Sequence, residues 1–190
     1  MEQMIQQGIL HLDLKPANIL VARDGHVKVI DFGQSRKQLP GSKETATIGD
    51  AITLEYASPE QIGRGSFSAA TDVYSAGCVL FRILTGRTPL EISRTEPDSR
   101  AEVIAFQCPP RPSDAAMQAS IENPNVAKFR RTTPTVLQSQ LRKGVDTLLE
   151  VCLRKDSGAR YQSGGDLLAN LEKVLAGRKP STRPSNLGYQ

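Results

Sequence analysis

Residues 69–85 constrain the fold of this 190-residue chain more than any other segment. Apolar side chains recur there with helical spacing, and Val79 and Ile83 add a second apolar face to the predicted helix. A helix that is hydrophobic on most sides is stable only when other elements surround it. The sequence therefore predicts a domain built around one central buried helix.

Other segments show different patterns around this helix. Two β-type runs, 19–21 and 27–30, are joined by an Asp-Gly turn and predict a hairpin. Helical spacing returns over 145–152 and again after Ser163, which opens a Ser-x-x-Asp pattern typical of a helix N-terminus. We expect a mainly α fold with one small β-hairpin near its start.

Three segments are predicted to be irregular. Residues 35–51 are polar and rich in Gly, Ser and Thr, which indicates a surface loop. Residues 89–134 hold seven of the twelve prolines, and since proline interrupts helices we expect no long helix there. The basic tail 178–190 is predicted to be flexible, which leaves one domain over residues 1–177.

Composition limits the classes of function. Lys and Arg outnumber Asp and Glu by 24 to 20, and the sequence has five Phe, four Tyr and no Trp. This positive surplus and this aromatic content are too small to indicate a nucleic-acid partner. The three cysteines are odd in number, far apart in sequence and never in a Cys-x-x-Cys pair, which argues against a disulfide framework and a zinc site and favours a reducing, cytoplasmic setting. The sequence contains no membrane-spanning run and no signal peptide, so we expect no membrane contact.

Two short polar motifs carry the chemical information. The first spans residues 11–18 and reads HLDLKPAN, and the second, after the predicted hairpin, is Asp31-Phe32-Gly33. Taken singly, Asp13 suits a turn, Asn18 a left-handed position and Asp31 a strand-end cap. In this order, with a hairpin between them, the motifs resemble the catalytic loop and the metal-binding Asp-Phe-Gly of the protein kinases.

The resemblance implies a role for each residue. Phosphoryl transfer depends on positioning and on charge stabilisation rather than on covalent chemistry by the protein. Asp13 would be the base that orients the attacking hydroxyl, and Lys15 a cation that contacts ATP near the transferring phosphate. Asn18 and Asp31 would be the ligands of Mg²⁺. The Lys two places after the Asp also resembles the serine/threonine class of kinases.

Two further members of these motifs are implied to be structural. His11 resembles a core histidine that packs under Phe32, so we assign it no proton transfer. Gly33 completes the Asp-Phe-Gly motif.

Downstream residues extend the resemblance. Residues 53–60 are similar to the end of an activation segment, here 31–60, with Thr53 facing the substrate and Ser58 where the family usually has Ala. Asp72 matches an acid that accepts hydrogen bonds from the catalytic-loop backbone, although it would also suit a plain helix N-cap. Arg160 resembles the arginine that forms an ion pair with Glu60. The alternative interpretation is that Arg160 is an exposed surface residue.

Leu12 departs from the family pattern. Many kinases have Arg there, whose guanidinium pairs with a phosphorylated activation loop. We therefore expect activity that depends little on loop phosphorylation, with Ser42, Thr45 and Thr47 as candidate sites.

The resemblance covers a large C-terminal lobe, and it implies a kinase lobe without its N-terminal partner lobe in these 190 residues. The sequence has no Gly-rich phosphate loop and no strand lysine before residue 11. Residues 146–177 further resemble bacterial receptor-type kinases. We expect the lobe of a serine/threonine kinase that acts on a protein substrate with a small lobe in cis or in trans, and that is inactive alone. The alternative is an inactive kinase-like interaction module.

Overall fold

The computed structural model describes residues 9–37, 53–63 and 65–182. Within them the helices are α1 (Pro59–Ile62), α2 (Ala69–Thr85), α3 (Arg100–Phe106), α4 (Pro112–Glu122), α5 (Asn125–Phe129), α6 (Pro134–Arg142), α7 (Val145–Cys152) and α8 (Gly164–Leu175). The strands are β1 (Ile9–Leu10), β2 (Ile19–Val21), β3 (Val27–Val29) and β4 (Arg36–Lys37). Short 3₁₀ turns span Pro16–Asn18, Ile92–Arg94, Pro97–Ser99 and Ser157–Ala159. The described part is mainly helical, as predicted.

Helix α2 confirms the predicted central helix. The Ser68 hydroxyl begins it by accepting a hydrogen bond from the Ala70 N–H at 3.3 Å. Gly86 ends it with a φ of 82°, a left-handed conformation that glycine adopts without strain. Phe81 in its second half is completely buried, as expected for a helix with little polar surface.

The main apolar core joins α2 to α7 and α8. Its buried side chains include Val73, Tyr74, Cys78, Phe81, Leu148, Leu149, Val151, Cys152 and Leu167. The helices approach closely at Gly77, where an added Cβ would lie only 2.8 Å from the Cβ of Cys152. Any larger residue at position 77 would push α2 and α7 apart.

Two short sheets precede the helical body. Strands β2 and β3 are antiparallel, with Ile19 opposite Val29, and the turn between them contains Gly25 at a φ of 86°. This confirms the predicted hairpin. Strand β1 pairs with β4 and sets Leu10 opposite Arg36. Because β2 pairs with β3, the residues just before β2 lie close to the residues just after β3.

The proline-rich region 89–134 is more regular than predicted. Helix α4 has 11 residues, and α6, which begins at Pro134, has nine. Pro112 and Pro134 lie in the first turns of these helices, where the missing N–H has no intrahelical partner in any case. Prolines here start helices, so the prediction that the segment is irregular is corrected, although no helix within it is longer than the 11 residues of α4.

The prediction of a flexible tail from residue 178 is also corrected for its first five residues. Pro180 is buried. The Tyr161 hydroxyl donates to the Ser181 carbonyl at 2.8 Å, and the Ser181 N–H donates to Asn170 Oδ1 at 2.8 Å. Arg154 Nη1 donates to the Thr182 carbonyl at 3.0 Å. Buried backbone groups need such partners, and these contacts hold residues 178–182 against the helical body.

Some predictions fall outside the described residues. They are the start of the chain before residue 9, the loop from 38 to 51 with Ser42, Thr45 and Thr47, and the tail beyond residue 182. None of the helices in the described ranges is long and apolar enough to cross a membrane.

Candidate active site

Asp13, Lys15 and Asn18 lie together just before β2. The Asn18 Nδ2 donates to the Asp13 backbone oxygen at 2.8 Å and to the Asp13 carboxylate Oδ2 at 3.1 Å. Lys15 Nζ lies 2.8 Å from the same Oδ2. A carboxylate held by an amide and a cation has a fixed direction, which a base needs if it is to receive a proton from a positioned hydroxyl.

Lys15 also connects this loop to a later segment. Its Nζ donates to Thr53 Oγ1 at 3.1 Å. The residue predicted to face a substrate therefore lies beside the predicted base and its cation. Asp13, Lys15 and Thr53 form one continuous chain of polar contacts.

Asp31 reaches the same region through the hairpin. The Ile30 N–H donates to the Asn18 carbonyl at 2.9 Å, so Asp31 follows directly on a residue bonded to Asn18. Asp31 has a φ of 63°, a left-handed conformation uncommon outside glycine, and its Oδ1 accepts the Gly33 N–H at 3.2 Å. The Asp31 side chain is exposed. Strained backbone of this kind clusters where a side chain must be aimed for function.

Asn18 and Asp31 fit a magnesium ion in the chemistry of their donors. The amide nitrogen of Asn18, not its oxygen Oδ1, faces Asp13, because that nitrogen donates both hydrogen bonds to Asp13. An amide oxygen and a carboxylate are hard ligands of the type that Mg²⁺ prefers. No group of three or more His, Cys, Asp or Glu that could hold a metal ion lies in the described ranges.

His11 and Phe32 pack against each other beneath the loop. Their ring centroids are 5.0 Å apart with an interplanar angle of 58°. The His11 Nε2 lies 3.1 Å from the Ile30 carbonyl, and Nδ1 accepts the Asp13 N–H at 3.3 Å. Both ring nitrogens are thus used in holding backbone, as expected of a structural histidine.

Asp72, in the first turn of α2, binds the backbone at the start of the catalytic loop. Its Oδ2 accepts the His11 N–H at 2.7 Å and its Oδ1 accepts the Leu12 N–H at 2.9 Å. The N-cap of α2 is Ser68, so the plain-cap alternative for Asp72 does not apply. Burial raises the pKa of the Asp72 carboxyl, and the two backbone hydrogen bonds oppose this effect without cancelling it.

Glu60 and Arg160 form a buried ion pair. Arg160 Nη1 and Nη2 donate to Glu60 Oε1 and Oε2 at 2.7 and 2.8 Å, and Arg160 is fully buried. Its guanidinium also donates to the backbone oxygens of Arg154, Ala70 and Lys155. Burial alone would raise the pKa of Glu60, but the hydrogen bonds and charge of Arg160 outweigh burial and hold that pKa below its ordinary value. The exposed alternative for Arg160 is excluded.

Sequence reasoning missed Gln61. Its side chain is buried and its Nε2 donates to the Leu12 carbonyl at 2.8 Å, across 49 positions of sequence. Its Oε1 accepts the Ser58 N–H at 3.0 Å. The Ser58-x-x-Gln61 spacing of a capping box was visible in the sequence, but it indicates only the second of these contacts.

Comparison with known proteins decides the family. The protein kinase domain family matches residues 1–169. The chain belongs to the protein kinase family. Residues 11–18 and 31–33, which resemble the catalytic loop and the Asp-Phe-Gly motif of a kinase, lie within the matched range.

Several bacterial kinases are similar to this kinase domain. It is 34% identical over 92% of its length to the serine/threonine-protein kinase PknB of Mycobacterium leprae and, over the same share, to PknB of Mycobacterium tuberculosis H37Ra. It is 32% identical over 94% of its length to the probable serine/threonine-protein kinase SCO3848 of Streptomyces coelicolor. These matches cover 24%, 24% and 23% of the relatives, so the chain spans about a quarter of their length. The resemblance to bacterial serine/threonine kinases is confirmed.

The hairpin of this kinase domain leaves apolar side chains uncovered. The exposed ones are Leu20, Val21, Val27, Ile30 and Phe32. They lie in or next to the hairpin that joins Asn18 to Asp31. Several exposed apolar groups in one short segment are typical of a surface with a partner or a ligand.

Proposed function

We propose that this chain is the large C-terminal lobe of a serine/threonine protein kinase that transfers the γ-phosphate of ATP to a protein hydroxyl. The observation that carries the proposal is the Asp13 carboxylate, held at 2.8 Å from Lys15 Nζ and at 3.1 Å from Asn18 Nδ2. A pure binding module has no need for a carboxylate fixed in this way. The arrangement suits a base that orients a hydroxyl and takes its proton.

Each remaining polar residue of the loop has a defined task in this proposal. Lys15 neutralises charge near the transferring phosphate, and its bond to Thr53 keeps the substrate-facing segment close to Asp13. Asn18 and Asp31 would hold Mg²⁺ with ATP, and the ion would neutralise phosphate charge when bound. Asp72 and His11 hold the loop backbone so that the carboxylate of Asp13 stays oriented.

The proposal includes a small lobe supplied in cis or in trans. The exposed apolar side chains of the hairpin support it, because a nucleotide base and a covering lobe would remove them from water. Alone, the chain would hold ATP from one side only and show no phosphotransfer.

Leu12 supports a proposal about regulation. Its side chain is buried and apolar, so it offers no charge to a phosphorylated loop residue. We expect the proposed kinase to work without loop phosphorylation. The setting we propose is the cytoplasm, where Cys78, Cys108 and Cys152 would remain the free thiols that they are here.

The direct test is Asp13→Asn in the longest protein that the gene encodes in frame with these residues. We expect phosphotransfer to a protein substrate to fall by about 10²- to 10⁴-fold, the usual contribution of a general base. Affinity for ATP should change little, because Asp13 is not among the proposed metal ligands. Radiolabelled phosphate transfer and equilibrium nucleotide binding measure the two effects.

Asp24→Asn is the matched control. Asp24 lies in the hairpin turn and accepts the His26 N–H at 3.0 Å, so the same chemical change is made away from the catalytic loop. Equal turnover for Asp13→Asn and Asp24→Asn would remove Asp13 from its proposed role. Absence of phosphotransfer from the unmodified long protein would instead favour the interaction module.

A further inference from the structure

Gln61 contacts the catalytic loop although it lies in the segment that anchors the activation loop. Its side chain is 3% exposed and therefore touches neither substrate nor nucleotide. The Nε2 donates to the Leu12 carbonyl at 2.8 Å, and Oε1 accepts the Ser58 N–H at 3.0 Å. One amide group thus joins α1 to the loop that contains the proposed base.

Leu12 has a backbone that needs support. Its φ of 65° lies in the left-handed region, which is unfavourable for a residue with a branched side chain. Its N–H is held by Asp72 Oδ1 at 2.9 Å, and its carbonyl is held by Gln61. The two contacts fix the residue at both ends, so the strained conformation is set from outside the loop.

The Leu12 carbonyl belongs to the peptide group whose nitrogen is that of Asp13. A rotation of this peptide plane would turn the first bond of Asp13 and move its carboxylate away from Lys15. Gln61 is itself immobilised, because the adjacent Glu60 is paired with Arg160. A rigid contact therefore runs from the buried ion pair through Gln61 to the peptide before Asp13.

We propose that Gln61 is a positioning residue that holds Asp13 in its working orientation through the Leu12 carbonyl. This inference rests on the proposed kinase function. The Leu12 side chain has no charge with which to link the catalytic loop to the activation segment, and the Gln61 amide makes that link to its backbone instead. The link is permanent and requires no phosphate.

The test compares Gln61→Met with Asn170→Leu. Both replacements remove a buried amide that bridges two backbone groups. Asn170 is 6% exposed, and its Nδ2 donates to the Asp166 carbonyl at 2.9 Å while its Oδ1 accepts the Ser181 N–H at 2.8 Å. Asn170 lies in α8 and does not contact the catalytic loop. Its replacement therefore measures the effect of removing a buried amide bridge that is not connected to Asp13.

The first measurement is amide hydrogen exchange on the 190-residue chain, which needs no phosphotransfer. Gln61→Met should increase the exchange rates of the His11, Leu12 and Asp13 amides by about fivefold or more relative to Asn170→Leu. Equal exchange of these three amides in the two variants would overturn the proposal. A purely structural loss of stability would raise exchange throughout the helical body in both variants.

The second measurement is steady-state kinetics in the long protein. Gln61→Met should lower kcat about tenfold, the factor that one buried hydrogen bond is worth, with KM for ATP nearly unchanged. Asn170→Leu should leave kcat near that of the unmodified protein. Faster exchange in the loop with an unaltered kcat would also overturn the positioning role. If the unmodified protein transfers no phosphate, the proposed function fails, and the exchange experiment still decides whether Gln61 holds the peptide of Leu12.

Discussion

The catalytic loop with its hairpin and the helical body are held in place by different forces. In the body, side chains of α2 and α7 such as Phe81 and Val151 are completely buried. In the hairpin, strands of three residues carry Leu20, Val21 and Val27 with half or more of their surface exposed. Apolar burial therefore stabilises the body and contributes little to the hairpin.

Polar contacts from the body orient the catalytic loop, in which Leu12 is also buried. Asp72 accepts two backbone N–H groups, and Gln61 donates to one carbonyl. Hydrogen bonds fix direction better than apolar contacts do, because they depend on angle as well as distance. The comparison teaches that stability and orientation come from different regions, joined by a few buried polar side chains.

The largest expected effect is at the buried ion pair that anchors α1, the helix with Gln61, to the rest of the body. Arg160→Met should lower the free energy of unfolding by about 3–5 kcal/mol, because it leaves Glu60 as a buried charge without its partner. Chemical denaturation of the 190-residue chain measures this.

Arg142→Met is the control for that variant. Arg142 pairs with Asp114 at 3.2 Å on the surface, where both side chains are more than half exposed. Its loss should cost less than about 1 kcal/mol. Similar costs for the two arginine variants would show that burial of the Glu60–Arg160 pair adds nothing to its contribution to stability.

A matched pair of valines tests the comparison between the regions directly. Val151→Ala should cost about 2 kcal/mol, since Val151 is 0% exposed in the core. Val21→Ala should cost less than about 0.5 kcal/mol, since Val21 is 69% exposed in β2. The measurement is again denaturant unfolding. Equal costs would mean that the hairpin is stabilised by apolar burial after all.

The smallest expected effect is a change in acid stability. The lowered pKa of Glu60 means that its ion pair contributes stability above the ordinary glutamate value of 4.5 and loses it as the pH falls through the folded-state pKa. The difference in unfolding free energy between the unmodified chain and Glu60→Gln should therefore be constant above about pH 5 and shrink below it. Unfolding curves at intervals from pH 7 to pH 3 measure the difference. A constant difference down to pH 3 would contradict the lowered pKa.

Several elements were predictable because their determinants are close in sequence. Apolar spacing defines α2, an Asp-Gly turn defines the hairpin, and Ser163 does cap α8 by accepting the Asp166 N–H at 3.0 Å. The two polar motifs likewise follow one another in order. The proline-rich region was misread because proline in a first turn favours a helix, whereas proline in the interior prevents one, and composition does not distinguish the positions.

By itself, the sequence predicted α2, α7, α8 and the hairpin, and it indicated the residues that we propose for phosphate transfer. Only the tertiary structure decided that Gln61 meets the Leu12 carbonyl, that Asp72 receives the loop N–H groups, and that residues 178–182 pack on the body. The physical reason is the separation in sequence over which each interaction acts. Periodicity and capping act over a few residues, whereas a contact across 49 positions exists only after the helices have packed and brought distant backbone groups within hydrogen-bonding distance.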